Sequence, residues 1–123
     1  MGTSDMPHDE LVACLAELAN ASLELWDVPR DAHARLINLS ENATYLVEAS
    51  GGYKSILRVH REGYHTYRAI ECELEWMEAL GLEGGVVTPP IINGVNGAPI
   101  QSYRTNRLSD RYLVMFTFLD GEE

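Results

Sequence analysis

A chain of 123 residues with 46% hydrophobic residues can bury one core, but it is short for an enzyme of two lobes. Its formal charge of −10, from 9 basic and 19 acidic residues, argues against a surface that neutralises DNA or RNA phosphates. Apolar stretches are too short to cross a membrane, and residues 1–10 do not resemble a secretion signal. We therefore expect one cytoplasmic domain that binds neither nucleic acid nor membrane.

The first predicted element is an amphipathic helix. Apolar residues recur at helical spacing from Leu11 to Leu25, and a proline-containing segment at 27–31 ends the pattern. We therefore divide the chain into an N-terminal helical segment, residues 1–31, and a main domain, residues 32–123.

The main domain begins with a change of period from 3.6 to two, which predicts strands. Short connections between the first strands indicate antiparallel pairing. The order of elements predicts an α+β fold, with an antiparallel sheet of five to six strands, one packed helix and the N-terminal helix. The predicted strands are Leu36–Leu39, Ala43–Ala49, Tyr53–His60, Ile91–Ile92, Ile100–Tyr103 and Arg111–Phe118, and the helix is Thr66–Leu80.

Two cysteines, Cys14 and Cys72, lie within the helical patterns. They show neither the spacing of a disulfide framework nor that of a metal site, and neither has an evident histidine partner. We predict that both are reduced and pack in the core.

Two charges in the main domain interrupt apolar patterns. At 100° per residue, Glu73 projects into the apolar sector of the predicted helix, between Met77 and Leu80. Arg58 interrupts a strand that otherwise reads as sheet core. Burial of an unpaired carboxylate costs several kcal/mol, so we predict that Arg58 and Glu73 pair with each other. The alternative is that Glu73 lies at the edge of the stripe and reaches water.

Four segments between Leu36 and Gly121 resemble, in their order and spacing, the N-terminal lobe of the aminoglycoside phosphotransferase and choline kinase family. The similarity is greatest to its homoserine-kinase-like branch. Such kinases use a strand cation, positioned by a helix glutamate, to contact nucleotide phosphates. The segments are Asn42–Val47, Ser55–Arg61, Glu73–Leu80 and Tyr112–Gly121.

This resemblance implies a nucleotide site. Arg58 takes the position of the phosphate-contacting lysine, and Glu73 is its helix partner. An arginine here departs from the aminoglycoside branch, and its planar head positions phosphates differently. The turn over the nucleotide has no glycine-rich motif and reads equally well as an ordinary hairpin turn. Its residues are Ser40, Glu41, Asn42 and Ala43.

The resemblance also implies a hinge after the last strand. Phe116 borders the adenine pocket, and the backbones of Thr117 and Leu119 bond to the purine edge. Judged by their side chains alone, these residues fit equally well a core strand that runs into a turn.

The catalytic and metal-binding aspartates of the family belong to a C-terminal lobe, and their motifs do not occur in these 123 residues. We therefore expect part of an ATP-dependent kinase that transfers phosphate to a hydroxyl of a small metabolite or aminoglycoside-like acceptor. ATP with Mg²⁺ would be its cofactor, with the metal ligands outside this chain, and residues 1–123 would be inactive alone. We also expect an exposed apolar cleft face that favours self-association, around Leu39, Ile56, Phe116 and Phe118.

Two alternatives remain from the sequence. The first is a non-catalytic interaction or dimerisation module with a kinase-lobe fold. The second is an unrelated α+β domain in which Arg58 and Glu73 coincide by chance, and the distance between these two side chains tests it.

Overall fold

The structure is a computed structural model that describes residues 7–39, 42–60, 67–83, 91–106, 108 and 111–118. In the second helix it describes the side chains of residues 68–76 only. Single turns of 3₁₀-helix lie at Leu23–Leu25 and Ser50–Gly52. The remaining elements, in chain order, are α1 His8–Ser22, β1 His33–Leu39, β2 Ala43–Ala49, β3 Tyr53–Val59, α2 Tyr67–Glu83, β4 Ile91–Ile92, β5 Gln101–Tyr103 and β6 Arg111–Thr117.

The six described strands form one sheet in the order β1-β2-β3-β6-β4, and β5 also pairs with β6. Every described pair is antiparallel. Strands β4 and β5 follow each other along the same edge of β6, where β4 pairs with Met115 and Phe116 and β5 with Arg111 to Leu113. The predicted α+β fold is confirmed, with six strands.

The two helices cover opposite faces of the sheet. Because side chains alternate along a strand, Leu113 and Met115 of β6 face α1, whereas Val114 and Phe116 face α2. The α1 side holds the larger core, which includes Cys14, Leu15, Leu18, Tyr45, Val47 and Leu57. The α2 side holds a smaller cluster formed by Ile70, Leu74, Ile100, Val114 and Phe116.

Strand β1 begins at His33, three residues before the predicted start at Leu36. Its alternation is obscured because the pairing register shifts between Leu36 and Asn38. The early part of β1 is fixed from outside the sheet by Asn20 of α1. The Asn20 side chain accepts a bond from the Ala34 backbone N–H at 2.8 Å and donates to its carbonyl at 3.2 Å.

The N-terminal segment is also bonded to the loop between β4 and β5. Trp26 Nε1 donates to the Ile92 carbonyl at 3.1 Å, and the Val95 N–H donates to the Leu25 carbonyl at 2.8 Å. Helix α1 therefore shares both a core and hydrogen bonds with the sheet. The domain division at residue 31 stays a prediction.

Gly94 lies where this loop meets the N-terminal segment. A Cβ at this position would lie 2.9 Å from the Leu25 carbonyl oxygen and would overlap the Gln101 side chain. We expect Gly94→Ala to lower the free energy of unfolding by about 1–3 kcal/mol, because backbone atoms must move to admit the methyl group. Urea unfolding measures the change, and exposed Asn93→Ala, next in sequence, should stay within about 0.5 kcal/mol of wild type. Equal stability of the two variants would contradict the close approach.

The two cysteines have different environments. Cys14 is fully buried, as predicted, whereas Cys72 is exposed, so its predicted packing role is wrong. At 100° per residue Cys72 points roughly 180° away from the midline between Ile70 and Leu74, the buried side chains of α2. None of the described helices is long and apolar enough to span a membrane.

Tyr45 is fully buried, and its hydroxyl makes no hydrogen bond to any residue that the structure describes. Burial raises its pKa from 10.0 to about 12, and the charge of Arg111 offsets part of that effect. The Tyr45 hydroxyl loses its proton near pH 10 in the unfolded chain, but only near pH 12 in the folded state. The stability that this difference contributes is present below pH 10 and is lost as the pH rises from about 10 to about 12.

We expect Tyr45→Phe to be as stable as wild type or more so at pH 7. Above pH 10 the variant should gain on wild type by about 1.4 kcal/mol per pH unit. Urea unfolding at several pH values measures this difference, and a difference that does not change with pH would contradict the assignment.

Candidate functional site

The two charges predicted to pair do so. Arg58 Nη1 of β3 lies 3.6 Å from Glu73 Oε2 of α2. Arg58 is opposite Thr44 on one neighbouring strand and opposite Val114 on the other, so its side chain projects from the α2 side of the sheet. The predicted Arg58–Glu73 pair is confirmed, and this distance removes the alternative of two unconnected charges.

The burial predicted for Glu73 is wrong. Its side chain is 43% exposed and that of Arg58 is 30% exposed. The described part of α2 contacts the sheet through Ile70 and Leu74, and Glu73 lies roughly 80° from the midline between them, on the flank of the helix. A separation of 3.6 Å exceeds ordinary N–H···O distances, and exposed ion pairs contribute little stability. The pair therefore contributes little to the stability of the fold, and the orienting role of Glu73 stays a prediction.

Arg58 has a second contact within the sheet. Its guanidinium carbon lies 5.2 Å from the centre of the Phe116 ring, within the range of a cation–π interaction. Phe116 itself is only 3% exposed and belongs to the core on the α2 side. Its ring therefore lies under the arginine rather than forming an open wall, and its contact with adenine stays a prediction.

Beside Arg58, part of the α2 side of the sheet is only half-buried. We call this surface the cleft face and define it by two neighbouring pairs of residues on that side of β2 and β3, the pair that contains Arg58 and the next pair along the strands. Leu46 and Ile56 are opposite each other at its centre. The cleft face consists of Thr44, Leu46, Ile56 and Arg58. It combines an apolar surface with one cation, the combination that a base joined to phosphates requires.

The predicted turn and hinge lie partly outside the described residues. Three of their residues, Ser40, Glu41 and Leu119, are not among those that the structure describes. Ala43 begins β2 and is buried in the core on the α1 side. Asn42 precedes it, and the buried oxygen of its side chain has no hydrogen-bond partner among the described residues. Thr117 ends β6, half-buried and opposite Ser55. The nucleotide-binding roles of these residues stay predictions.

The predicted exposed apolar surface is wrong for two of its four residues. Leu39 packs against the core on the α1 side, and Phe116 is buried on the α2 side. Ile56 is half-buried against the α2 core, and the ring of half-buried Phe118 lies 5.3 Å from Lys54 Nζ. The four side chains do not form a continuous patch, because they are divided between two faces of the sheet. Self-association was predicted because these four residues were expected to form one exposed apolar surface, and that reason does not hold.

The metal ligands were expected outside this chain. Among the described residues, no group of three or more histidine, cysteine, aspartate or glutamate side chains is arranged to hold a metal ion. We therefore assign no metal-binding role to any described residue.

Solved structures relate this fold to kinases. The microcompartment-associated aminopropanol kinase is 41% identical to the chain and superposes with a TM-score of 0.76, over 85% of this chain and 32% of that one. The chain is related to small-molecule kinases. The amicoumacin kinase hAmiN, solved with AMP-PNP, Ca²⁺ and Ami, has a TM-score of 0.65 over 94% of this chain and 35% of its own. At 18% identity, this second match shows the fold alone.

Both matches concern the N-terminal part of the kinases, and the chain spans about a third of their length. The helices and the six-stranded sheet thus match a kinase N-lobe. No protein-family model and no curated protein matches the chain.

The sequence analysis missed the aromatic residue beneath Arg58. The family resemblance places Phe116 at the adenine pocket, and the sequence does not give the register of its strand against β3. The structure pairs Ile56 with Phe116, which puts the ring diagonally across from Arg58 on the same face. Alternation along the last strand would have limited the aromatic candidates to Tyr112, Phe116 and Phe118, but would not have chosen among them.

Proposed function

We propose that this chain is the nucleotide-binding N-lobe of an ATP-dependent small-molecule phosphotransferase. The observation that carries the proposal is Arg58, aimed by Glu73 and placed beside the half-buried cleft face, in a chain 41% identical to an aminopropanol kinase. Kinases of this fold use such a cation to neutralise nucleotide phosphates. A chance pair of surface charges would not be expected at this position of a kinase N-lobe.

In the proposed complex, the adenine packs on Leu46 and Ile56, and the phosphates extend toward Arg58. Burying a flat base against two aliphatic side chains removes apolar surface from water, and the guanidinium offers several donors to phosphate oxygens. The triphosphate carries Mg²⁺, whose protein ligands belong elsewhere in the enzyme. The described residues thus supply binding and phosphate orientation.

The acceptor and the base that orients it are proposed to lie in the remaining two-thirds of a kinase of the length of the solved relatives. We propose as acceptor a hydroxyl of a small metabolite. The homoserine-kinase-like branch and a cytoplasmic location also remain proposals, because no observation on the chain bears on either.

A chimera tests the proposed function. The chain replaces the matching N-terminal part of the aminopropanol kinase, and ATP-dependent phosphorylation of aminopropanol is measured. We expect measurable turnover, because the chain is 41% identical to this kinase over 85% of its own length and superposes on it with a TM-score of 0.76. A folded chimera that neither binds ATP nor turns over would contradict the proposal and favour the non-catalytic interaction module.

A further inference from the structure

Arg58 lies between two partners that differ in rigidity. Glu73 is 43% exposed and reaches the arginine at 3.6 Å from the flank of a helix. Phe116 is 3% exposed and lies in the central part of the sheet, where β6 pairs with both β3 and β4. Its ring centre is 5.2 Å from the guanidinium carbon. Of the two contacts, the aromatic one therefore has the more firmly fixed position.

The sheet fixes this ring on several sides. Phe116 is opposite Ile56 on β3 and opposite Ile91 on β4, and both pack against its core cluster. Ile70 and Leu74 of α2 belong to the same cluster. A side chain enclosed in this way has little rotamer freedom, so it presents an unchanging surface to whatever packs on it.

We propose that Phe116 is a positioning residue that fixes Arg58 for contact with a phosphate-bearing ligand. This inference rests on the proposed nucleotide-binding function. A planar guanidinium stacks on an aromatic face while its N–H groups remain directed outward, which a lysine ammonium does less well. The aromatic residue at 116 and the arginine at 58 thus form one unit. Glu73 orients the guanidinium laterally, and Phe116 sets its height above the sheet.

The residue that follows β6 offers a matched control. Phe118 is a second phenylalanine of this region, and its ring lies 5.3 Å from Lys54 Nζ rather than next to Arg58. Both aromatic residues are therefore near a cation of β3, but only Phe116 contacts the arginine proposed to bind phosphate. Phe118→Leu removes a similar ring from the same surface and leaves the Arg58 contact intact.

A spectroscopic measurement tests the contact itself. In NMR spectra of the 123-residue chain, the side-chain protons of Arg58 should show ring-current shifts. These shifts should vanish in Phe116→Leu and persist in Phe116→Tyr and Phe118→Leu. Phe116→Met replaces the leucine variant if that variant does not fold, since it also fills the space without a ring. Unchanged Arg58 shifts in a folded variant without the ring would overturn the inference.

Ligand binding tests the role. We measure the affinities of the same variants for ATP and for adenosine, which lacks phosphates. Loss of one cation–π contact should weaken ATP binding by about two- to five-fold in Phe116→Leu and leave adenosine binding unchanged. Phe116→Tyr should restore ATP binding, and Phe118→Leu should leave the ratio of the two affinities at its wild-type value. In an Arg58→Ala background, Phe116→Leu should have no further effect on that ratio.

The outcomes separate the two proposals. A merely structural role of Phe116 predicts equal losses for ATP and adenosine, and that result would overturn the inference while leaving the nucleotide site in place. An unchanged ATP affinity in Phe116→Leu would overturn it as well. If wild type binds neither ligand, the proposed function itself fails, and the phosphate-positioning role fails with it.

Discussion

Replacement of Arg58 by alanine in the chimeric kinase is expected to lower kcat/KM by about 100-fold or more, because loss of one group that stabilises transition-state charge costs roughly that factor. The guanidinium belongs to the cleft face, and the charge on the transferring phosphoryl group must be balanced as the reaction proceeds. Steady-state kinetics with ATP and aminopropanol measure the loss.

Arg35→Ala is the matched control for this substitution. Arg35 also projects from a strand of the same sheet, is 57% exposed and pairs with Glu48 at 3.4 Å. Its removal breaks a comparable ion pair on β1, the edge strand that β2 separates from Arg58 on β3. We expect turnover within about two-fold of the unmodified chimera, since exposed pairs contribute little. Full activity of Arg58→Ala, or an equal loss in both variants, would contradict the role assigned to Arg58.

Residues 1–123 expressed alone are expected to show no ATP-dependent phosphoryl transfer to small alcohols, in contrast to the chimera. Phosphoryl transfer requires metal ions that bridge the phosphates and a group that orients the acceptor hydroxyl. The described residues supply Arg58 and an apolar surface, and they include no cluster that could hold a metal. Release of ADP in the presence of candidate acceptors measures the reaction. Its control is the chimera, assayed at the same concentration.

Sustained turnover by the 123-residue chain would contradict this expectation, once mass spectrometry has confirmed the length of the chain in the assay. It would show that the chain carries a catalytic constellation which the kinase comparison does not predict. Weak binding of ATP without turnover agrees with the expectation, since one surface of a cleft can bind a base incompletely.

The strands and their order along the chain were predictable from the sequence, because alternation and turn residues are local signals. Strands β2 and β4 have the predicted bounds, Ala43–Ala49 and Ile91–Ile92. Strand β1 was predicted too short, because the register shift at Leu36 and Asn38 interrupts its alternation and its first residues are fixed by Asn20 of α1. That contact depends on how α1 packs on the sheet, and local sequence patterns do not reveal this packing.

The ion pair of the site was predictable, but its environment was not. Arg58 and Glu73 were identified because each interrupts an apolar pattern, and the structure pairs them. The depth of Glu73 depends on how α2 packs on the sheet, and among the described side chains of this helix the contacts run through Ile70 and Leu74. The ring of Phe116 beneath Arg58 depends on the register between β3 and β6, strands more than fifty residues apart in sequence. Registers between distant strands are set by global packing, so the aromatic contact appears only in the structure.

Mapping of nucleotide contacts by NMR on the 123-residue chain tests the central claim most directly. If the chain is a nucleotide-binding N-lobe, added ATP should shift the backbone amides of Thr44, Ile56 and Arg58 in a saturable manner. The amides of Cys14 and Leu18, in the helix on the opposite face of the sheet, should keep their positions. Arg58→Ala should weaken the response to ATP more than the response to adenosine, since only ATP carries the phosphates. The absence of any saturable shift, or shifts centred on α1 instead of the cleft face, would contradict the account.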